Sequence, residues 1–424
     1  MKKVFALVAI ILVLFLILTY WSTSSTDKKF ETSTIENFED LENIDFREFD
    51  SVLVSPSTLY QGNFIKELMQ GANYRKAWAA PIKLPIVFLD TLKGGMKIVK
   101  EGGGKQTHSL KLLNPAGIMY TLRSVVKDPD KLIPDVAETL GLENIIVDGI
   151  SGQHPYGAIL AARLADIAGV MHTNPNMVFV PKQDGLGNYN EKYGNRIYLL
   201  EYETESKKNW TNFNDVKEIV ETDELQELKL ELGDKLSIDK DALIRARLFD
   251  LFIGDWDRHA EQWGWILQEK ENKIKAIPMA GDRDNAFFKL EGVLPTIITN
   301  KNIEPLVRPF EEDIDYMEGL VYPFDRYFLI NTTEHDFIRQ AEILQNLLTD
   351  ERIEATFKVW PEPIVNLDKT EIFGKLKSRR NKLKEYASSF HAIIQEQGKL
   401  TEALKGSDDV NLENSPLLGC FECK

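Results

Sequence analysis

The residues best suited to chemistry are acidic and amide side chains in two neighbouring segments of the chain. Asp257 and, five residues later, Gln262 lie in the segment LFDLFIGDWDRHAEQWGWIL, and Asp282 and Asp284 lie in the segment IPMAGDRDNAFF that follows it. Carboxylate and amide oxygens are hard ligands that suit Mg²⁺ rather than Zn²⁺. A carboxylate also accepts the proton of an attacking hydroxyl group. Phosphoryl transfer requires both a base and bound Mg²⁺, so these segments predict that chemistry.

Apolar residues flank these acidic side chains in the sequence, among them Ile253, Trp263 and Phe287. Such neighbours indicate partial burial, and a buried carboxylate needs a metal or a cation beside it. We therefore favour a metal site over a solvated acidic cluster. His259 has two interpretations: it acts as a base or ligand, or it packs beneath the loop and positions Asp257.

The elements that must position these residues follow from the periodicity of the apolar residues. Alternation predicts strands and a 3.6-residue period predicts helices. The predicted strands in the first half are 109–113, 119–126, 177–180 and 196–201, and the predicted helices there are 131–142 and 158–168. Beyond Leu225 the pattern is mainly helical, including 334–348 and 369–397, with one strand pair at 263–267 and 274–277. This layout predicts an α+β fold with a β-rich first half and a helical second half.

A glycine-rich turn lies between the first strands of the β-rich half. Gly102, Gly103 and Gly104 precede Lys105, and glycine allows backbone N–H groups to approach an anion closely. Three glycines in a row are also common in a loose hairpin turn. Further along, Arg123 and Lys127 lie four residues apart, either as phosphate-binding cations or as solvated charges.

Several motifs together resemble a known superfamily. The sequence Asp257-Arg258-His259 with a polar residue at the fifth position resembles the catalytic loop of phosphatidylinositol kinases, secretory-pathway casein kinases and spore-coat-protein-H-like kinases, and GDRDNAF resembles their metal-binding motif. With GGGKQTHSL, YTLRSVVKDP and HPYGAILAARLADIAG added, the chain is similar to an uncharacterised group of bacterial envelope proteins with an atypical kinase-like fold. The resemblance covers roughly residues 90–390. The whole chain of 424 residues is long enough to bury one large two-lobed domain or two ordinary ones.

The resemblance implies a two-lobed protein-kinase-like fold and a role for each residue of the two segments. Asp257 corresponds to the catalytic base, Gln262 to the metal-binding amide and Asp282 to the metal-binding aspartate, with Asp284 as the alternative for that last role. Glutamine stands where the family usually has asparagine. This departure lengthens the ligand arm by one methylene group and puts full activity in doubt.

The resemblance also implies a nucleotide site in the β-rich lobe. The residues assigned to it are Gly102, Gly103, Gly104, Lys105, Arg123, Lys127 and Glu201. Arg123 stands where a kinase usually has its phosphate-binding lysine, and Lys127 is the alternative. Glu201 falls near the hinge, where its backbone would meet adenine. The implied cofactors are ATP and Mg²⁺ or Mn²⁺.

The N-terminus has the composition of a membrane segment. Residues 4–21 are apolar over a helical length of about 27 Å, which nearly spans the hydrocarbon of a bilayer. Lys2 and Lys3 place the short N-terminal side in the cytoplasm and the bulk of the chain outside it, on the periplasmic or lumenal side. We favour an uncleaved anchor over a cleaved signal peptide, for which residues 22–25 offer a weak cleavage site.

The composition along the rest of the chain predicts where its segments begin and end. We expect a signal anchor at 1–21, a polar linker at 22–48, the β-rich lobe at 49–203, the helical lobe at 204–400 and a disordered tail at 401–424. The net charge of −15, from 51 basic and 66 acidic residues, argues against a nucleic-acid partner. Cys420 and Cys423 are the only cysteines; a redox pair or half a zinc site is less favoured for them than a solvated tail.

The sequence therefore predicts a Mg-ATP-dependent phosphotransferase that acts on a protein or a small envelope substrate. Two alternatives remain open. One is a pseudokinase that binds nucleotide or metal without turnover, which the scarcity of ATP outside the cytoplasm favours. The other is a metal-dependent phosphohydrolase that uses the same carboxylates.

Overall fold

The structure, a computed structural model, describes residues 1–26, 32–36, 38, 41, 44–103, 107–128, 133, 135–407, 410–412 and 415–423. Helices and the strands of three β-sheets are interspersed up to residue 280, and helices without further strands follow in the described residues. This arrangement confirms the α+β class. Gly104 and Lys105 of the predicted glycine turn lie outside the described residues.

The chain begins with a long helix and a small sheet. The elements are α1 (Lys2–Ser22), β1 (Thr34–Ile35), β2 (Ser51–Ser55), α2 (Phe64–Gln70), α3 (Arg75–Ala79) and β3 (Ile82–Pro85). Strands β1, β2 and β3 form an antiparallel sheet in that order. Part of the region predicted as a linker therefore belongs to a sheet.

The central sheet carries the predicted nucleotide residues. Its elements are β4 (Lys97–Gly102), β5 (Ser109–Leu113), β6 (Met119–Ser124), α4 (Asp135–Thr139), α5 (Glu143–Gly149), α6 (Gly157–Ala168), β7 (Asn176–Val180), α7 (Asn190–Tyr193) and β8 (Arg196–Tyr202). The order is β4-β5-β6-β8-β7, and every neighbouring pair is antiparallel. Gly102 at the end of β4 pairs with Ser109 at the start of β5, so the described start of the glycine turn lies at one end of this sheet.

The middle of the chain contains a larger sheet than the predicted strand pair. Its elements are β9 (Val216–Glu221), α8 (Thr222–Leu232), β10 (Leu236–Ile238), α9 (Lys240–Ile253), β11 (Trp263–Lys270) and β12 (Lys273–Ala280). The order is β10-β12-β11-β9, with β10 parallel to β12. The sequence missed β9 and β10 because one is rich in charge and the other has three residues, so neither has a clear alternation.

The rest of the chain is helical. The helices are α10 (Val293–Ile298), α11 (Pro323–Leu329), α12 (Glu334–Leu347), α13 (Asp350–Thr356), α14 (Glu362–Asn381) and α15 (Leu383–Gln397). The helix predicted at 369–397 is thus two helices that meet at Lys382. Trp263 and Trp265 are fully buried and pack against Phe324 and Phe328 in the core.

Helix α9 delivers the carboxylate-rich loop to the centre of the molecule. It begins at the side chain of Asp239, which accepts a hydrogen bond from the Ala242 backbone N–H, and it ends at Gly254 in the left-handed region with φ of 70°. A Cβ atom on Gly254 would also lie 2.5 Å from the Phe310 ring, so the helix must end here on a glycine. The loop that contains Asp257 begins directly afterwards.

The described part of the C-terminal segment is packed, and the expectation of a disordered tail is wrong for it. Phe421 is fully buried beside Tyr327 and Phe328, and its backbone N–H donates to the Tyr327 carbonyl at 3.0 Å. Cys420 and Cys423 form a disulfide. Composition suggested a solvated segment because its apolar residues are sparse, but Leu404, Leu412 and Phe421 are buried.

Replacing Phe421 with alanine tests this packing. Loss of a fully buried phenylalanine costs about 3–5 kcal/mol of stability. We expect Phe421→Ala to lower the free energy of unfolding by that order and to expose the last residues to proteolysis. Pro416→Ala, at an exposed position of the same segment, is the control. A melting temperature of Phe421→Ala equal to that of the control would show that the segment does not pack.

Candidate functional site

A cavity of about 770 Å³ lies between the central sheet and the loops that follow α9 and β12. Of the predicted site residues, those that line it are Gly103, Arg123, Lys127, Glu201, Asp257, His259, Gln262, Asp282 and Asp284. Gly102 ends β4 next to it and does not line it. Residues far apart in sequence are thus brought to one cavity.

The loop after β12 presents two carboxylates to this cavity. Asp282 and Asp284 line it, whereas Arg283 between them points into the protein and donates to Asp250 at 3.1 Å. The backbone of Asp282 has φ of 47°, a left-handed conformation that aspartate tolerates better than most residues. Both acids therefore remain candidates for the metal-binding role.

Two cations from the central sheet side cross the cavity to these carboxylates. Arg123 Nη1 donates to Asp282 Oδ2 at 2.6 Å. Lys127 Nζ donates to Asp284 and, at 3.1 Å, to the Thr107 hydroxyl. Neither cation is a solvated surface charge, so that alternative is wrong. Asp282 and Asp284 are partly buried beside these cations, and partial burial is what their apolar neighbours in the sequence predicted.

The side chain of Glu201 makes contacts in the site that the sequence did not predict. We expected its backbone to matter at the hinge, but its buried side chain accepts a hydrogen bond from Arg123 Nε at 2.9 Å and another from the Thr173 hydroxyl. Arg123 therefore contacts two carboxylates at once, Glu201 behind it and Asp282 across the cavity.

The two carboxylates beside Arg123 titrate differently. Burial raises the pKa of Glu201 above its usual range, because the attraction of Arg123 does not fully offset the loss of water. Burial also acts on Asp282, but Arg123 and Lys127 outweigh it and hold the pKa of Asp282 below its usual range. Asp282 is consequently a carboxylate at neutral pH and is available as a metal ligand.

The catalytic-loop candidates face the same cavity. Gln262 Nε2 lies 3.5 Å from Asp257 Oδ2, and His259 Nε2 lies 4.0 Å from Asp257 Oδ1. Burial lowers the pKa of His259 below its usual value, although Asp257 opposes this shift, so the imidazole is neutral at pH 7. The distance to Asp257 and the place of His259 in the cavity lining show that this side chain lies beside Asp257 and not beneath the loop.

Arg258 joins the loop after α9 to the loop after β12 through hydrogen bonds. It is fully buried, and its Nη1 atom donates to the carbonyls of Gly281 at 2.8 Å and Asp282 at 3.1 Å. The same nitrogen donates to Gln262 Oε1 at 3.0 Å. The position of Gln262 relative to Asp282 therefore depends on this guanidinium group.

The centre of this arrangement is Asp250, which the sequence analysis did not single out. Its fully buried carboxylate contacts Arg258 of the catalytic loop at 3.2 Å, Arg283 of the following loop at 3.1 Å and Arg247 of its own helix at 2.9 Å. Burial alone would raise the pKa of Asp250, but the three arginines outweigh it and lower the pKa. An acidic residue within an otherwise apolar helix face was the signal that could have found it.

The C-terminal segment also reaches the cavity. Lys405 lines it, and its Nζ atom lies 3.2 Å from Glu261 Oε2. Lys111, Glu203 and Glu221 line the cavity as well. Lys405 belongs to the segment expected to be disordered, and no motif of the sequence pointed to it.

The donor set suits a hard cation that retains water and phosphate ligands. Among the described residues, no group of three or more histidine, cysteine or acidic side chains is arranged to hold a metal. Mg²⁺ commonly takes one or two carboxylates together with substrate phosphates and waters. Asp282 and Asp284, which both line the cavity, could supply such carboxylates.

Comparisons with known proteins give distant structural matches. No protein-family model matches the chain, and no curated protein matches it. Among solved structures, the Helicobacter pylori proinflammatory kinase CtkA matches with 14% identity and a TM-score of 0.36, over 70% of this chain and 96% of that one. HipA of Shewanella oneidensis, in a toxin–antitoxin complex with HipB and operator DNA, matches with 11% identity and a TM-score of 0.29, over 71% of this chain and 67% of that one. These values carry no argument about the function of this chain.

Removing the carboxylate of Asp250 tests whether it organises the site. Asp250→Asn is nearly isosteric but removes the carboxylate that three buried guanidinium groups share; Arg247 keeps Asp325 and Arg258 keeps Asp255, whereas Arg283 loses its ion pair, so we expect a loss of about 3 kcal/mol of stability. Asp241→Asn, on the exposed face of the same helix, should change stability by less than about 0.5 kcal/mol. Chemical denaturation of both variants measures the difference. Equal stabilities would show that the arginines do not depend on Asp250.

Proposed function

We propose that this protein is a Mg-ATP-dependent phosphotransferase of the atypical kinase type, with a two-lobed kinase-like fold and an acceptor that is a protein or a small envelope molecule. The observation that carries the proposal is the pair of ionic contacts across one cavity, Arg123 with Asp282 and Lys127 with Asp284. Asp257 lines the same cavity. The cations thus lie on one wall and the carboxylates on the other.

This charge arrangement complements a metal–nucleotide complex. Phosphate oxygens are negative and Mg²⁺ is positive, so binding would exchange each direct ion pair for a cation–phosphate contact and a carboxylate–metal contact. Arg123 is suited to the phosphate side because its planar group binds two oxygens at once, and Glu201 holds that group in place from behind.

The protein groups around the reacting atoms have separable roles in this proposal. Bound Mg²⁺ would supply charge neutralisation at the phosphates. Asp257 orients the acceptor hydroxyl and takes its proton. His259 is neutral at pH 7 and therefore adds no positive charge beside Asp257. Gly103 lines the phosphate end; its φ of 121° and the Thr107 carbonyl, 2.1 Å from where a Cβ would lie, both require glycine.

One observation favours a pseudokinase as the second candidate. The Oε1 atom of Gln262, the amide oxygen proposed as a metal ligand, already accepts a hydrogen bond from Arg258 at 3.0 Å. Metal binding by Gln262 would have to share this oxygen with a buried cation. A protein that binds nucleotide through the remaining groups without efficient turnover is consistent with that contact.

We also propose that the protein is a single-pass membrane protein with its bulk outside the cytoplasm. Helix α1 is long and apolar enough to cross a membrane, and most of its surface is not covered by the rest of the protein. The lysines that precede the apolar residues support this orientation. The absence of a nucleic-acid partner remains a prediction from the net charge.

Nucleotide binding is testable by thermal stability. A ligand that binds only the folded state at about a hundred times its dissociation constant stabilises that state by roughly 2.7 kcal/mol. We expect Mg-ATP to raise the melting temperature of the full-length protein in detergent, and the metal-free nucleotide to raise it less. No shift with any nucleotide in Mg²⁺ or Mn²⁺ would contradict the proposed site.

The two central aspartates should differ in the step that each affects. Asp282 is proposed to act when nucleotide binds, so Asp282→Asn should lose the metal dependence of nucleotide binding. Asp257 is proposed to act in the transition state, so Asp257→Asn should retain nucleotide affinity and lose turnover by about 10²–10⁴-fold. Transfer of radiolabelled γ-phosphate from ATP to an envelope extract measures turnover, and unliganded melts control for folding.

The same assay separates the candidate functions. Label on a protein or small molecule supports a phosphotransferase, label released only as inorganic phosphate indicates a phosphohydrolase, and bound ATP without loss of label indicates a pseudokinase. If Asp257→Asn abolished binding while Asp282→Asn left both binding and turnover intact, the two roles would be wrongly assigned and Asp284 would become the metal ligand.

A further inference from the structure

Helix α2 has an inverted distribution of polar and apolar side chains. Its buried residues are Lys66, Met69 and Gln70. Phe64 and Leu68 are exposed, with 75% and 48% of their surface accessible, and Glu67 between them is exposed as well. A helix on the surface of a water-soluble domain normally buries its apolar side and exposes its polar side. The outward face of α2 is therefore suited to an apolar environment.

The polar side of α2 contacts the end of α1. Gln70 Nε2 donates to the Ser22 hydroxyl at 2.9 Å, and Lys66 Nζ donates to the Thr26 hydroxyl at 2.8 Å. Lys66 also lies 3.1 Å from the buried carboxylate of Asp148. These contacts are buried, so the end of α1 is joined to the domain by specific hydrogen bonds.

The aromatic residues at the end of α1 indicate where the headgroups of a bilayer would lie relative to the domain. Tyr20 and Trp21 are half-exposed, and such residues characteristically lie at the headgroup level of a bilayer. The Tyr20 hydroxyl donates to the backbone carbonyl of Leu140 at 2.6 Å. Leu140 has 53% of its surface exposed, so an apolar side chain of the domain lies at the level of these aromatics.

Helix α10 extends this apolar surface away from α1. The end of α2 and the start of α10 meet backbone to backbone, because a Cβ on Gly292 would lie 2.2 Å from the Gly71 nitrogen. Beyond this contact α10 exposes Val293, Ile297 and Ile298. A row of exposed apolar residues thus continues from α1 across two helices.

We propose that these residues form a membrane-contacting collar, defined as Phe64, Leu68, Leu140, Val293, Ile297 and Ile298, which lies in the interface of the bilayer that α1 crosses. The lipid surface is the occupant because α1 ends at the collar. The inference rests on the proposed anchor but not on the proposed enzymatic function. Apolar side chains of this kind are typically buried about 5–10 Å into the headgroup and acyl boundary.

The collar constrains the domain in a way that the anchor alone does not. A single helix followed by a flexible linker would allow the domain to rotate and tilt freely. A second contact with the same bilayer fixes its tilt, because the hydrogen bonds from Gln70 and Lys66 join α1 to the domain. The cavity is then held in one orientation relative to the membrane.

Depth-dependent fluorescence quenching in nanodiscs tests the collar with the full-length protein. The native cysteines form the Cys420–Cys423 disulfide, so an introduced cysteine can be labelled singly with an environment-sensitive fluorophore. The positions are Val13→Cys in α1, Leu140→Cys and Ile297→Cys in the collar, and Leu230→Cys on α8 as a similarly exposed control. We expect brominated lipids to quench the first three labels and to leave the label at 230 unchanged.

Each result that would overturn the proposal has its own pattern of fluorescence. Quenching at 13 with no more quenching at 140 and 297 than at 230 would overturn the collar and leave the anchor standing. No quenching at 13 would overturn both. Excimer formation between pyrene labels at 297, without quenching by lipid, would show that a second copy of the chain covers this surface and would also overturn the proposal. None of these readouts depends on ATP.

Discussion

The buried carboxylate of Asp250 is the interaction on which the candidate site depends. Three guanidinium groups, from α9 itself and from each of the two loops that carry the acidic residues, converge on it. An unpaired charge in such a place is expensive, so each loop has a strong preference for the one conformation that brings its arginine to Asp250. The ion pairs around Asp250 therefore fix the two loops, and the loops in turn position the side chains that face the cavity.

Burial separates the ionic contacts of this protein into two classes. Asp250 and Arg258 are inaccessible to water, and their contacts therefore persist whatever the cavity contains. Arg123 and Asp282 keep 19% and 29% of their side-chain surface exposed, so water or a ligand can reach both partners. The first class holds the loops in place and the second can exchange its partners, which is the combination that a binding site for a charged ligand needs.

Both ends of the chain are integrated with the domain between them. The end of α1 forms buried hydrogen bonds with α2, and the C-terminal segment packs Phe421 against α11 and carries Lys405 to the cavity. Helix α1 and the C-terminal segment are thus both joined to the domain by packed structure.

The sequence by itself determined the α+β class, most strands of the central sheet and the residue types gathered at the cavity, because alternation and short motifs are local properties of the chain. It could not determine the partner of any one of these residues. Arg123 and Asp282 are 159 positions apart, and the contact of Lys127 with Asp284 spans 157. Only the tertiary structure decided that the side chain of Glu201 holds Arg123, that Asp250 organises the loops and that Phe421 is buried. Contacts of this kind depend on how separate elements pack, and local periodicity contains no information about that packing.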